Sequence, residues 1–506
     1  MLAAACLGLD IGGTGAKAGV FDATGRLLGF GRIPYTQTRM SDTSEVSDIS
    51  NNEIPIEAIY LAARDAARQA IAAAGIQPIA LSVASMGQTF VTLDESDRPL
   101  HPAILWYDAR AGQEAHLMNE RLAQAGVTGA PLPFIDAIAT VSKIVWLRAR
   151  FPDVMRRARR YLTAPDYLAY RLTGEAVTDP NTASSTGFYT EDAPDYDARV
   201  LDVAGVSARQ LSRIQPAGTP IAPVRPEQAA EWGLAPGALF VAGANDQYAG
   251  ALGAGNCRPG IVTETTGTCL ALVTLAERLP PLSPGLLGGR FPIRRYQFAL
   301  AYAKTAGLVL DWFRAQFYPD KTLADLESLA ASVPIGSRGV TVLPHFDGVL
   351  SPQPHPHARG AFLNLTLAHT LPDMHRAILE SISFSLRENI ELLRATGFAI
   401  DIARSIGGGA RSDLWLQIKA DATGLPIEQP AVTEAATLGA AMLAAVGRGA
   451  FASLEESSAA LYHAHRTFEP DAARHAQYEQ PYMAYREACA RLYTAGGVSE
   501  CGAQPR

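Results

Sequence analysis

Cysteine is scarce in this 506-residue chain: five residues, Cys6, Cys257, Cys269, Cys489 and Cys501, with no Cys-x-x-Cys spacing among them. Scattered thiols in odd number exclude a disulfide frame and a cysteine-built structural zinc site, and they point to a reducing, cytoplasmic compartment. Long hydrophobic runs are also missing. No stretch of about 18 uncharged apolar residues occurs, so a membrane span is not expected. Met1 to Asp10 is apolar but has no basic n-region and reaches an acid within one short strand, which does not read as a signal peptide. Positive charge is in deficit, with 43 Lys and Arg against 50 Asp and Glu and a formal net charge of −7. That balance gives no electrostatic reason to expect nucleic acid or an anionic membrane as partner. A Walker A loop, G-x-x-x-x-G-K-[ST], is absent throughout.

What is present is a well-packed globular composition, 48% apolar and 18% charged. A chain of this length exceeds one ordinary core, so two large domains are expected. The first segment alternates strand and turn signals. Cys6 to Leu9 is a short apolar run, Asp10-Ile11-Gly12-Gly13-Thr14-Gly15 a glycine bend, and Ala18 to Asp22 a second strand. Asp22-Ala23-Thr24-Gly25 is turn chemistry, and Arg26 to Phe30 pairs back as a third strand. Residues 56–74 carry helical periodicity, Ile79 to Ala84 reads as a buried strand, and Lys143 to Tyr161 as one long helix. The region from about 174 to 236, dotted with Asp, Pro and Gly, reads as irregular.

Near Phe240 the pattern starts again. Leu239 to Ala242 is apolar, Gly243-Ala244-Asn245-Asp246 is a bend, and Tyr248 to Ala254 suits a helix start. Strand, glycine turn and strand recur over Thr263 to Thr274, around Thr266-Gly267-Thr268. Ile402 to Ile406 then feeds Gly407-Gly408-Gly409-Ala410, followed by helices over Asp413 to Thr423 and Glu434 to Gly447. The domains are accordingly expected at 1–248 and 249–506.

The turn Asp10-x-Gly12-Gly13-Thr14 directly follows a strand, so its backbone N–H groups can hold phosphate oxygens, with Thr14 adding a hydroxyl. Asp10 could bind Mg²⁺ directly or through water, since that ion takes hard oxygen ligands. The plain alternative is an ordinary hairpin turn. Gly13-Thr14-Gly15-Ala16-Lys17-Ala18 also fits the dinucleotide fingerprint G-x-G-x-x-A. That fingerprint must open a helix and be followed by an acid some 20 residues on. Here a strand follows, and Tyr35 stands where the acid would fall. Gly407 to Ala410, between strand and helix, suits close backbone approach to a nucleotide, or equally a flexible turn. Thr265-Thr266-Gly267-Thr268 is a third donor-rich turn. Three such turns over both halves suggest a phosphate clamp. Asp246, at the end of an apolar strand, is the candidate general base, and a helix N-cap is the alternative reading. His345, His355 and His357, in a Pro-rich loop with Asp347, match no standard metal spacing and read as surface histidines. Trp312 and Trp415 read as core.

These residues resemble the FGGY carbohydrate kinases, which include xylulokinases, glycerol kinases and ribulokinases. The likeness runs from Leu7 to about Tyr493. It is carried by Asp10 to Thr14, Leu105-Trp106-Tyr107-Asp108-Ala109-Arg110, Asp166 to Gly174, Gly243-Ala244-Asn245-Asp246-Gln247, Thr265 to Thr268 and Gly407 to Ser412. Gly360 to Glu380 is similar to the family's C-terminal signature. The resemblance implies an α/β fold of two actin-like (ribonuclease-H-like) ATPase domains flanking a catalytic cleft. The N-terminal domain would bind the sugar and the C-terminal one the nucleotide. It further implies Asp246 as catalytic base and Asp10 as metal residue. Gly12, Gly13, Thr14, Lys17, Gly267, Thr268, Gly408, Gly409 and Ala410 would hold ATP. Gln88, Trp106, Asp108, Asp246 and Gln247 would line the sugar pocket. ATP and Mg²⁺ are the implied cofactors and a small sugar or polyol the partner, with room for a homodimer.

The departures fall at the substrate. Where xylulokinases carry Gln-Met-His-Gly, this chain has Ser85-Met86-Gly87-Gln88-Thr89, so the pocket histidine is missing. Where glycerol kinases carry Arg-Glu, Gly87-Gln88 stands. Around Lys143, the residues Thr140, Lys143, Trp146 and Leu147 keep the family's other signature, while Ile138 and Ala149 do not. Asn364 replaces a usual glycine. The expected activity is phosphorylation of a ketopentose such as xylulose. L-xylulose, ribulose, erythritol, glycerol or a non-catalytic sugar-binding regulator are the alternatives.

Overall fold

The structure is a computed structural model that describes residues 5–35, 52–125, 135–189 and 195–493. Cys501 lies outside these residues, and Cys6, Cys257, Cys269 and Cys489 are free thiols. The chain divides into two compact units. One comprises Met1–Gly255, Arg290–Arg294 and Ala435–Tyr462, and the other comprises Asn256–Gly289, Arg295–Glu434 and His463–Arg506.

In the first unit the central strand is Cys6–Ile11, buried on both faces. It turns back antiparallel into Gly15–Phe21, which pairs antiparallel with Leu27–Pro34. On its other side it runs parallel to Ala80–Ser85, which is parallel in turn to Leu239–Val241 and Ala244–Asn245. The helix Ile56–Ala74 covers the hairpin side and buries Ile56, Ile59, Tyr60, Ala63, Ala66, Ala67 and Ala70. That spacing is a single helical stripe. Gly29 and Gly31 lack side chains where the helix backbone at Ala70 and Ala66 lies against them. The helix ends at Gly75, whose φ of 65° is a left-handed cap. On the opposite face the helix Ala435–Gly447 returns to this unit, and Gly8 lies against its backbone at Thr437. Its own Gly439 meets the backbone at Ala249, so two helices and a strand approach at backbone distance.

The second unit repeats the same strand order. Gly260–Thr266 is central, antiparallel to Leu270–Ala276, which is antiparallel to Gln297–Ala303. Gly260–Thr266 is also parallel to Ile400–Ile406, which is parallel to Ile427–Pro430. Each unit therefore sets a tight turn between its first two strands and a second turn after its fourth, at the ends of parallel strands. Such strand ends are where open α/β sheets bind ligands. The helix Leu371–Thr396 spans this unit, opened by a Thr370/Asp373 capping box.

Several sequence expectations change in detail. The helix expected from Lys143 to Tyr161 is instead Thr140–Arg150, a short turn of helix Pro152–Met155 and the strand Arg160–Thr163. Pro152 is the reason: it cannot continue the preceding helix, and its ring disfavours a helical residue 151. The region 174 to 236 contains short helices, Pro180–Ser185, Ala198–Ala204 and Pro226–Trp232, that are each too short to show periodicity. Trp312 is 38% exposed and packs against Phe317 and Phe346 at the surface, while Trp415 is core as expected. His345 is not a surface residue. It is buried between Tyr485 and Tyr493, and burial holds its imidazole down at about 4. Among the described residues no helix is long and apolar enough to cross a membrane.

Candidate active site

Asp10 is the penultimate residue of the central strand of the first unit, and the strand's hairpin turn is closed by Gly12 N donating to Gly15 O (3.1 Å). The hairpin register sets Asp10 opposite Lys17, and Lys17 Nζ lies 3.4 Å from Asp10 Oδ2. The candidate metal residue and one candidate phosphate ligand are thus an ion pair. Gly13 is beside the Trp106 indole, 3.5 Å from Nε1 to where a Cβ would stand, and Thr14 is exposed at the tip. Met86 N donates to Ile11 O (3.1 Å), which ties the Met86–Gln88 turn to the same edge.

Asp246 opens the helix Asp246–Gly253, directly after Ala244–Asn245 pairs with Ala84 and Ser85. Asn245, not Asp246, is the N-cap: its side chain accepts from Gln247 N at 3.1 Å. Asp246 itself is the first residue of the helix. Burial first, and the like charge of Asp10 second, push its carboxyl up to about 7, with Gln247 hydrogen bonds and the Lys17 charge opposing. Gln247 Oε1 is a buried acceptor with no partner among the described residues. Tyr35, whose position the sequence singled out, has a buried hydroxyl also without such a partner, and burial and Asp10 raise its pKa.

Gly87, in the segment that departs from the xylulokinase pattern, stands in a tight place. A Cβ there would collide with Ser185 Oγ and approach Asn245 Nδ2 to 3.2 Å, so a side chain at this position requires Ser185 to shift. Gln88 is partly buried, its backbone carbonyl accepting from Thr140 Oγ1 at 3.1 Å. Trp106 is partly buried, and its backbone N donates to Thr89 Oγ1 at 2.9 Å. Asp108 is only 2% exposed and is held by Arg110 through Nε (2.9 Å) and Nη2 (2.7 Å). Burial pushes its pKa up, but the Arg110 hydrogen bonds and charge outweigh this and hold it below the usual carboxylate value. Arg110 also bonds Glu53 and stacks over Trp146 at 4.9 Å. Beneath the loop, fully buried Lys143 donates to Leu105 O (2.8 Å) and Trp106 O (3.1 Å), and burial brings its pKa down to about 7. Arg110 and Lys143 stand within the segments that carry the resemblance, but local sequence cannot show that they brace this loop.

In the second unit the turn after Thr266 is tied to the following helix, Gly307–Phe317, by Ala306 N to Thr268 O (3.0 Å) and Gly307 N to Gly267 O (2.9 Å). Thr268 is exposed, and a Cβ at Gly267 would meet nothing within 4 Å, so a ligand can come close to this backbone. Gly407 has φ 81° and ψ −163°, a conformation reserved for glycine. It throws the chain into the turn Gly408–Arg411, in which Gly408 is exposed while Gly409 and Ala410 are buried. Ala410 O accepts from Gln429 Nε2 at 2.6 Å.

Among the described residues no cluster of three or more His, Cys, Asp or Glu could hold a metal ion. A magnesium–nucleotide site does not need one. Mg²⁺ takes one or two carboxylates and completes its shell with water and phosphate oxygens. Asp10, whose charge reaches the Asp246 carboxyl, is a hard-oxygen donor of the kind such a site would use.

Comparison with known proteins agrees with this arrangement. Residues 5–253 match the N-terminal domain of the FGGY family of carbohydrate kinases, and residues 266–448 match its C-terminal domain. A glycerol kinase of Polaromonas naphthalenivorans is 31% identical, the match covering 92% of this chain and 94% of that protein. An autoinducer-2 kinase of Escherichia coli is 30% identical over 94% of this chain and 92% of its own. The crystal structure of xylulose kinase from Rhodospirillum rubrum superposes with a TM-score of 0.82 at 26% identity, over 96% of this chain and 98% of that one. With both domains matched in order along most of its length, this chain belongs to the FGGY family of carbohydrate kinases.

Proposed function

We propose that this carbohydrate kinase transfers the γ-phosphoryl group of ATP to a hydroxyl of a ketopentose, a xylulose-like sugar, with Asp246 as general base. The observation that carries the reading is Asp246 itself: the first residue of its helix, on the strand-end edge beside Asp10, and raised to about 7 by burial and Asp10. A base poised near neutrality takes a hydroxyl proton far better than an ordinary carboxylate, and such catalysis is worth roughly 10²- to 10⁴-fold. Gln247 Oε1, a buried acceptor awaiting a donor, suits a second sugar hydroxyl. Trp106 sets its indole Nε1 beside the turn at Gly13, and Gln88 ends the Met86–Gln88 turn tied to the same edge, with Asp108 and Arg110 holding the loop's shape. Gly12, Gly13, Thr14 and Lys17 serve the transferred phosphate, Gly267 and Thr268 the β- and γ-phosphates, and Gly408, Gly409 and Ala410 the adenosine. Asp10 would hold Mg²⁺, directly or through water, and the ion when bound neutralises charge on the phosphate oxygens. By this assignment residues 1–248 carry the sugar site and 249–506 the nucleotide site. The free thiols at Cys6, Cys257, Cys269 and Cys489 support a cytoplasmic location.

The sugar itself is tested by an ADP-release screen over pentuloses, hexuloses, tetritols and glycerol. A pentulose should give the highest kcat/KM, and Asp246→Asn should abolish sugar-dependent release while ADP still binds. Wild-type turnover in Asp246→Asn would remove the base assignment. Preference for glycerol or a tetritol would replace the ketopentose reading by a polyol one, which the glycerol kinase relative supports. ADP binding with no turnover on any of these would favour a sugar-binding regulator.

A further inference from the structure

The interior of the second unit holds an ion pair that nothing in the proposed chemistry uses. Lys419, on the helix Asp413–Thr423, and Glu264, on the strand Gly260–Thr266, are 0% and 1% exposed. Lys419 Nζ donates to both Glu264 carboxylate oxygens at 3.0 Å and to Thr266 Oγ1 at 2.9 Å. Glu264 also accepts from the hydroxyls of Thr266 and Ser405. The Lys419 ammonium lies 4.6 Å from the centre of the Trp415 ring. The cluster thus gathers the two central strands and one helix at a single point.

That point is where the two glycine turns meet. Thr266 immediately precedes Gly267, and Ser405 is two residues before Gly407. The backbone oxygen of Thr266 lies 2.9 Å from where a Cβ on Gly407 would stand. For Gly409 the same position is 2.8 Å from Thr266 Cβ and 3.1 Å from Trp415 Cζ3. The third glycine therefore rests on the two side chains that Lys419 touches. A fully buried, mutually saturated pair cannot exchange protons with a substrate. Nor does stability account for it, because a packed apolar pair of equal volume does as well or better. What the pair adds over apolar packing is direction, since its hydrogen bonds hold Thr266 in one place relative to Ser405.

We propose that Glu264 and Lys419 are positioning residues for the nucleotide, a buried strut that sets the spacing between the Gly267–Thr268 and Gly407–Gly409 turns. The proposal rests on the reading that these two turns hold ATP. Without the strut Thr266 is free to turn, Gly409 loses its seat, and the two turns no longer match one bound nucleotide.

The test is ADP affinity, by calorimetry on the full chain, together with thermal melting. The variant Glu264→Leu/Lys419→Met replaces the pair by apolar groups and leaves no unpaired charge. It should melt near the wild type while its Kd for ADP rises roughly tenfold, the equivalent of about 1.4 kcal/mol. Ser405→Ala leaves the charges paired and removes one tie, and should raise the Kd several-fold with little change in melting. Wild-type ADP affinity in either folded variant overturns the proposal. Gly267→Val tests the reading beneath it: if ADP binding survives that obstruction, the turns are not the nucleotide site and the strut falls with them. If Gly267→Val abolishes binding and the strut variants leave it intact, only the strut is refuted.

Discussion

Lys17 Nζ stands 3.4 Å from Asp10 Oδ2 across the first hairpin, and both charges act on Asp246 from the same unit. Asp10 favours the protonated form of Asp246 and Lys17 the ionised form. In the ligand-free protein the Asp246 carboxyl should therefore titrate near 7 by carbon NMR. Asp10→Asn removes a like charge and should lower that midpoint; Lys17→Met removes the opposing cation and should raise it. Equal midpoints in all three proteins would mean that burial alone sets the value.

Gly87 makes a sharper test of the pocket. Adding one methyl in Gly87→Ala forces it against Ser185 Oγ and Asn245, the cap of the helix that begins with Asp246. The KM for the sugar should rise several-fold, with that for ATP little changed. Ser185→Ala in the same protein should restore most of the loss by clearing the colliding hydroxyl. Failure of the second change to restore anything would place the damage elsewhere.

Lys143 links stability to pH. Burial depresses its pKa from 10.5 to about 7 in the folded chain, so between these values the unfolded state binds more protons. The contribution is fully present above the unfolded pKa and is lost as pH falls through the folded one. Lys143→Met also leaves the Leu105 and Trp106 carbonyls unpaired, at about 1–3 kcal/mol each. The wild type should therefore melt above the variant, and the gap should widen from about pH 7 to about pH 10. The sugar KM should rise as well, since the Trp106 loop loses its brace.

Asp166 gives the opposite slope. Burial, with a smaller push from Asp179, raises its pKa from 3.8 to about 7, against the nearby hydroxyls of Ser212, Thr163 and Thr178, which favour the ionised form. Stability from this group is whole below 3.8 and is lost as pH rises through the folded value near 7. Asp166→Asn keeps the shape without the charge, so its urea midpoint relative to the wild type should improve between about pH 4.5 and about pH 8. A constant offset across that range would show that Asp166 stays ionised.

Much of this protein was legible because its signals are local. The hairpin at Asp10–Gly15, the turns at Gly267 and Gly407, and the helices 56–74 and 413–423 each declare themselves within one element. There, glycine, strand alternation and helical periodicity act over a few residues. Asp246 at a strand end followed from the same kind of pattern. The resemblance then supplied roles that the patterns alone left open.

Only the tertiary structure decided the rest. A helical stripe from 434 to 447 says that a face is buried, not that it is buried against Gly8 and Ala249 in the first unit. Trp312 and His345 exchanged their expected places because exposure depends on what folds over a residue, which no local pattern encodes. The braces behind the site belong to the same class. Arg110 meets Glu53 over 57 residues and Lys419 meets Glu264 over 155. By itself the sequence determined the strands, the turns and the acids that chemistry requires. The fold chose which distant charges would hold them, because a buried charge is tolerable only where folding delivers its partner.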